Sequence, residues 1–495
     1  MASNQAYDRD PEKAAGVAPP ADPKSPEVTA DEAETDDAAT SYTRGEERAL
    51  LWRQDLTIIP LSAFIYLLCY LDRSNIGNAR ILNASTGNDM QTEIGATHYQ
   101  FNIALMIFLV AYALFEVPSN MLLKKLRPSR WLAFLMVAWG SVTMGLGGVT
   151  SFAGAAGVRF LLGVFEAGLF PGLMYYLTFW YRGDERSVRI AFILASATLA
   201  GAFGGAIAYA VGSGMNGLAG LSAWRWLFIV EGAPSCVSAL LVWFFLPDYP
   251  DEALKNPRQR EVAAARLAVE GSHRSHRTMT WADAKATLLD ARLYVHYAIL
   301  FCTCVPFSSL SLFAPSIVSG LGFKDLNAQL LTVPPYVAGY VVQVLVSYSA
   351  DRHNARALHS SATALLGVVG FVASALLPPD AYHARYGTLV IAAAGSFGCI
   401  PPVLGWLTCS VHTTASVGLT IALGISLGST MGQIPGVWIY KAEERDRGYP
   451  TGHWVNAAML LVAMACMIGL RVMYGRWNEK LMREGGGRNV RLYKL

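Results

Sequence analysis

Long apolar blocks, each about 20 residues, constrain this chain more than any other feature, because that length crosses a bilayer core of roughly 30 Å as a helix. Twelve of them fall at about 54–77, 99–120, 130–150, 157–181, 188–212, 225–247, 293–320, 329–350, 359–378, 385–408, 415–440 and 453–474. With 53% hydrophobic and 15% charged residues, the expected fold is an all-α membrane protein with twelve transmembrane helices in two six-helix bundles. The expected layout is a disordered cytosolic tail over 1–50, one bundle over 51–247, a cytosolic central loop over 248–292, a second bundle over 293–476, and a cytosolic tail over 477–495.

The first 45 residues are polar and rich in Asp, Glu, Ala and Pro, so no signal peptide is expected to open the chain. The seven cysteines all fall in apolar blocks, which argues for buried thiols rather than disulfides or metal ligands. Neither a cofactor nor a metal is expected, and a formal charge of +3 gives no reason to expect nucleic acid. Basic connections set the orientation: Arg44, Arg48 and Arg53; Lys124, Lys125, Arg127 and Arg130; Arg182, Arg186 and Arg189; Arg352 and Arg356; Arg471, Arg476, Lys480 and Arg483. With twelve spans these share one side, which the positive-inside rule makes the cytosol. Asn83-Ala-Ser85 is then a glycosylation sequon on the outer side. The segment "DEALKNPRQREVAAARLAVEG" in the central loop reads as a surface helix.

The fourth block carries Pro171, and the tenth carries Pro401 and Pro402. Interrupted spans at matching positions of two halves point to a transporter's central site. Block eleven has Gly424, Gly428, Gly432 and Gly436 on one helical face, which admits a close neighbour. The first half also holds charges at lipid depth: Asp72, Arg73, Arg159 and Glu166. Each would cost about 2.5–3.5 kcal/mol at a helix centre, so intramembrane ionisable groups mark a functional site by default, though structural ion pairs between helices are the alternative. Burial raises a carboxyl's pKa and a neighbouring arginine lowers it, so Asp72 and Glu166 are candidate proton carriers. Arginine keeps its charge, so Arg73 is a candidate anion anchor. Ser62, Tyr66, Tyr70 and Arg73 share one wall at helical spacing, although plain helix packing would explain the tyrosines too. Glu231 is expected to pair structurally with Arg225, and Glu116 to act at a gate. His412 and His453 are expected to be solvated near helix ends.

At "YLDRSNIGNA", "RFLLGVFEAGLFPG", "WYRGDER", "WRWLFIVEG" and "FFLPDYP" the chain resembles the major facilitator superfamily. More narrowly, it resembles the fungal allantoate-permease-like branch of the anion:cation symporters, from about residue 45 to 480. The resemblance implies a cavity lined by helices one, four, seven and ten, and proton-coupled movement of anions such as nicotinate, pantothenate, allantoate or sugar acids. Carried over by position, it makes Asp72 and Glu166 the proton-coupling acids and Arg73 the anion-binding arginine. "SYSADRHNAR" resembles the family's gate motif, with Asp351, Arg352 and Arg356 as its charged members. The first-half copy, "SNMLLKKLRPSR", lacks the motif's aspartate. Gln343, Trp406 and Gln433 are candidate substrate contacts in the second half.

The expected function is therefore symport of protons and a small organic anion by alternating access, by a monomer with both termini cytosolic, in the plasma membrane. The alternatives are export of an acidic metabolite on the same fold and a nutrient sensor with little transport. An enzyme is not expected. Gly424-Ile-Ser426-Leu-Gly428 matches G-x-S-x-G, but a nucleophile elbow needs a strand-to-helix turn, and the match falls within an apolar helix.

Overall fold

The computed structural model describes residues 42–268, 281–321, 330–410, 414–484 and 492–493. Twelve helical passages cross it, here numbered α1 to α12. The first six are α1 (Arg44–Ala79), α2 (His98–Lys125), α3 (Pro128–Leu146), α4 (Phe152–Glu166 continued by Leu169–Leu177), α5 (Gly183–Gly214) and α6 (Ala223–Phe245). The second six are α7 (Ala291–Gly320), α8 (Val333–Arg352), α9 (Arg356–Leu376), α10 (Tyr382–Gly398 continued by Ile400–Cys409), α11 (Thr414–Leu423, Gly424–Thr430 and Met431–Trp438) and α12 (Pro450–Glu484). No strand occurs among the described residues. Ten passages are long and apolar enough to span a membrane. The other two, α3 and α8, are 19 and 20 residues long and complete the twelve.

Local chemistry fixes several helix ends. Thr97 and Gln100 form a reciprocal capping box at the start of α2, Pro128 occupies the first turn of α3, and the Ser151 hydroxyl accepts the Gly154 N–H at the start of α4. Within α4, Pro171 can donate no backbone hydrogen bond, and the helix is interrupted between Glu166 and Leu169. In α10, Pro401 and Pro402 follow a break at Cys399. The matching interruptions expected from the two halves are thus present, and the first lies immediately after Glu166.

Two expected boundaries shift. α1 begins at Arg44, inside the stretch assigned to the disordered tail, with Glu46 and Glu47 in its first turn, where the helix dipole favours acids. α12 runs to Glu484, past residue 476, and carries a Lys480–Glu484 pair one turn apart. Residues 1–41 lie outside the described set. The central loop contains the expected helix at Pro257–Ala268, but its Arg266 is buried rather than solvated. It is paired with Glu47 of α1 at 2.8 Å and with Glu185 of α5. This ties the loop to the first six helices.

Within each half the helices pack on one another, α3 on α6 and α9 on α10 and α12. The halves meet chiefly where α5 lies along α8 and α2 along α11, with α1 against α7 at the centre. The glycine face of α11 lies on α7, as the spacing suggested. A Cβ added to Gly432 would stand 2.5 Å from the Phe301 carbonyl oxygen, and one on Gly436 2.7 Å from that of Val305. Residues Gly424–Thr430 of this helix wind as a π-helix, a feature common near functional sites. Gly432→Val should therefore lower the thermal unfolding midpoint, by about 1–3 kcal/mol of overpacking. Gly469→Ala, where nothing faces the added methyl, should leave it unchanged or raise it. A scan of both variants in detergent checks the contrast.

Candidate functional site

At the middle of the bundle α1, α2, α4, α7 and α11 converge on Arg73. Its guanidinium donates to Gln433 Oε1 of α11 at 2.9 Å and lies 5.0 Å from the ring centres of both Phe108 and Tyr112. One turn earlier, the Tyr70 hydroxyl donates to Ser311 Oγ of α7 at 3.3 Å, and Tyr66 stacks on Phe170 of α4 at 4.9 Å. Tyr70 and Arg73 thus face Gln433 across the same point, while Tyr66 is taken up by its stack on Phe170. Ser62 is buried further along α1. Tyr70, Arg73, Ser311 and Gln433 border a pocket of about 20 Å³ that also reaches Arg159 and Ser308. That volume holds about one water, so this conformation is occluded around the anchor.

The carboxyls gather round this point. Glu166, at the α4 interruption, is fully buried; Arg73 and Arg159 are the cations facing it, and the Cys69 thiol lies beside it. Asp72 points the other way along α1, where its Oδ2 accepts from Ser235 Oγ of α6 at 2.6 Å. Sequence reasoning missed two further members. Glu116, expected at a gate near the basic loop, instead faces Arg73 and Thr430 from the interior of α2. Its place one turn after Tyr112 was the available signal. Glu231, expected to pair with Arg225, faces Asp72 instead. Arg225 pairs with Glu93 at 3.2 Å and donates to the carbonyls of Gly147 and Val149. Four buried carboxyls therefore share this region with the half-buried guanidinium of Arg73 and the buried one of Arg159, and among the described residues no carboxylate comes within 4.0 Å of Arg73 or Arg159.

Other expected contacts fall elsewhere. Gln343 accepts from Thr198 Oγ1 at 2.8 Å and joins α8 to α5 at the seam between the halves. Trp406 is enclosed by His296, 4.8 Å away ring to ring, and Tyr474, so it packs α7, α10 and α12 rather than lining the Arg73 pocket. Of the gate motif, Arg356 pairs with Asp351 at 3.0 Å and reaches Cys409 of α10, while Arg352 is exposed. Asn83 adopts a left-handed conformation (φ 57°) after α1, with its amide nitrogen covered. His453 is buried against Tyr440, not solvated, and His412 lies outside the described residues. The G-x-S-x-G match lies on the π-helix, where Ser426 donates to the Ala113 carbonyl, so it forms no nucleophile elbow.

A multi-pass helical bundle whose two halves meet over a buried charged site is the architecture of a membrane transporter. The Major Facilitator Superfamily model matches residues 62–433, and the chain belongs to that family. It is 65% identical to the MFS transporter prlL of a fungal species (strain NRRL 50135), over 90% of each chain. It is 32% identical to the MFS-type transporter cnsO of Penicillium expansum, over 90% of this chain and 86% of that one. Identity is also 32% to an Agrobacterium vitis protein named for tartrate transport, over 67% of this chain and 72% of that one. The fold matches a bacterial homologue of the human lysosomal transporter Spinster, crystallised inward-facing and unoccupied. That match has a TM-score of 0.59 and 16% identity, and covers 87% of this chain and 98% of that one.

Proposed function

We propose that this transporter is a proton-coupled symporter of a small organic anion. The observation that carries the reading is the charge imbalance: four buried carboxyls share the core of the first half with two guanidiniums that no carboxylate neutralises at contact distance. A low-dielectric core does not hold surplus negative charge. Protons on the acids and a substrate carboxylate on Arg73 together restore neutrality, so each favours the other. The cycle follows from that linkage. Protons load Glu166 and Asp72, the guanidinium of Arg73 loses the counter-charge of Glu166, and the substrate anion takes its place. With one of Glu116 and Glu231 also held protonated the filled core is neutral, and it rocks to the other face and releases the anion and its protons. A relative named for tartrate, itself a small carboxylate, supports the anionic class. In this reading the basic face lies in the cytosol with both termini, the plasma membrane is the site of action, and the protein works as a monomer.

Proteoliposomes under an imposed inward proton gradient test it with a labelled panel: nicotinate, pantothenate, allantoate, a sugar acid and a dicarboxylate. The expected result is accumulation of at least one, abolished by a protonophore. Absence of any gradient-driven accumulation by folded protein would overturn the symport reading.

A further inference from the structure

On the face opposite the basic loops a second cavity, about 210 Å³, opens beyond the Arg73 pocket. It has roughly ten times the volume of the central pocket. We propose that this vestibule is an entry site that binds a planar aromatic monocarboxylate before it reaches Arg73. The inference rests on the anion reading above for the direction of travel, and on its own geometry for the ligand.

The cationic end is Arg80. It follows Arg73 by seven residues and comes just past the end of α1, with its N–H still donating to the Ile76 carbonyl, so it stands about 10.5 Å beyond Arg73. Its guanidinium lies 5.2 Å from the Phe101 ring centre and 5.8 Å from that of Phe313. Its polar contact is to His98 Nδ1, which accepts from it. Among the described residues no carboxylate lies within 4.0 Å of Arg80. Among the described acids around the vestibule, Asp89, which faces Arg80, accepts from the Thr92 N–H and hydroxyl, and Glu444 from those of Thr451. Glu443 faces His98 from an exposed position. Arg445 adds a second positive charge to the lining. A guanidinium without a carboxylate presents paired donors that fit a ligand carboxylate.

The body of the cavity is aromatic. Phe313 and Tyr440 lie nearly parallel at 5.8 Å, and Tyr449 meets Tyr440 edge-on at 5.5 Å. The Tyr440 hydroxyl already accepts from Asn456, which leaves a wall suited to a flat ring rather than to a polyol. Between the two cavities α1 and α7 touch backbone to backbone. A Cβ on Gly77 would stand 2.8 Å from the Leu312 carbonyl oxygen. Leu312 lines the inner pocket and Phe313 the outer one. The vestibule therefore sits directly above a closed constriction, where an anion waits for α1 and α7 to part.

Benzoate is the probe, titrated calorimetrically into full-length protein in lipid nanodiscs. In an Arg73→Ala background, which silences the inner anchor, benzoate binding is expected to persist and gluconate binding to be absent. Adding Arg80→Gln should then weaken benzoate at least tenfold. Phe313→Leu, which leaves the Arg80 charge in place and removes the ring, should weaken it several-fold and serves if Arg80→Gln does not fold. Complete loss of benzoate binding in Arg73→Ala overturns the entry site, as does residual binding indifferent to both outer substitutions. If Arg73→Ala costs nothing and Arg80→Gln removes all binding, the entry site stands and the anion role of Arg73 falls.

Discussion

Glu166→Gln is expected to collapse gradient-driven accumulation to equilibrium while substrate exchange between the two sides continues. Glutamine keeps the shape and the hydrogen-bonding reach of glutamate but carries no exchangeable proton charge. In the proposed cycle the return of the empty carrier depends on which charges remain in the core. With a permanently neutral residue at 166, Arg73 keeps less internal competition and still binds the anion. The filled carrier can cross in both directions, so exchange survives. A one-unit pH gradient is worth about 1.4 kcal/mol per proton, or roughly tenfold accumulation at one proton per substrate. The variant should lose that factor entirely, with exchange rates within about threefold of the parent. Paired uptake and counterflow assays on the same proteoliposomes separate the two. Retained accumulation would clear Glu166 and leave Asp72, Glu116 and Glu231 to carry the proton. The position supports the expectation, because Glu166 ends the first segment of α4 and faces both arginines.

Arg73→Ala should weaken anion binding at least 30-fold, since truncating one partner of a buried charge pair typically costs 2 kcal/mol or more. The substitution also removes the cation that faces Glu166 and Glu116, which deepens the negative surplus of the core. Arg73→Lys restores the charge but not the planar fork or the fit against Phe108 and Tyr112, so recovery should be partial. Displacement of a labelled substrate from purified protein, with a melting scan as a fold control, measures both. Unchanged affinity in Arg73→Ala would make Arg73 a structural counter-ion and move the anion elsewhere. The entry-site titration of the same Arg73→Ala protein then shows whether the vestibule alone accounts for binding.

The sequence by itself determined the helical count, the six-and-six division, the interrupted spans and the presence of charge at lipid depth. These follow from local rules: twenty apolar residues cross a bilayer, proline removes a backbone donor, and a buried charge is too costly to be incidental. Tyr66, Tyr70 and Arg73 could be placed together because they share one face of one helix. Tertiary structure alone decided how those faces met. Asp72 and Arg73 are adjacent in the chain, yet they point to different neighbours, Ser235 and Gln433. Arg225 turned to Glu93 and released Glu231 to face Asp72. Trp406 went into packing, and Gln343 into the seam. The vestibule draws Arg80, His98, Phe313 and Tyr449 from four separate parts of the chain. The physical reason is range: helix formation and insertion depend on neighbours within a few turns, whereas the partner of a buried charge is set by which helices pack against it.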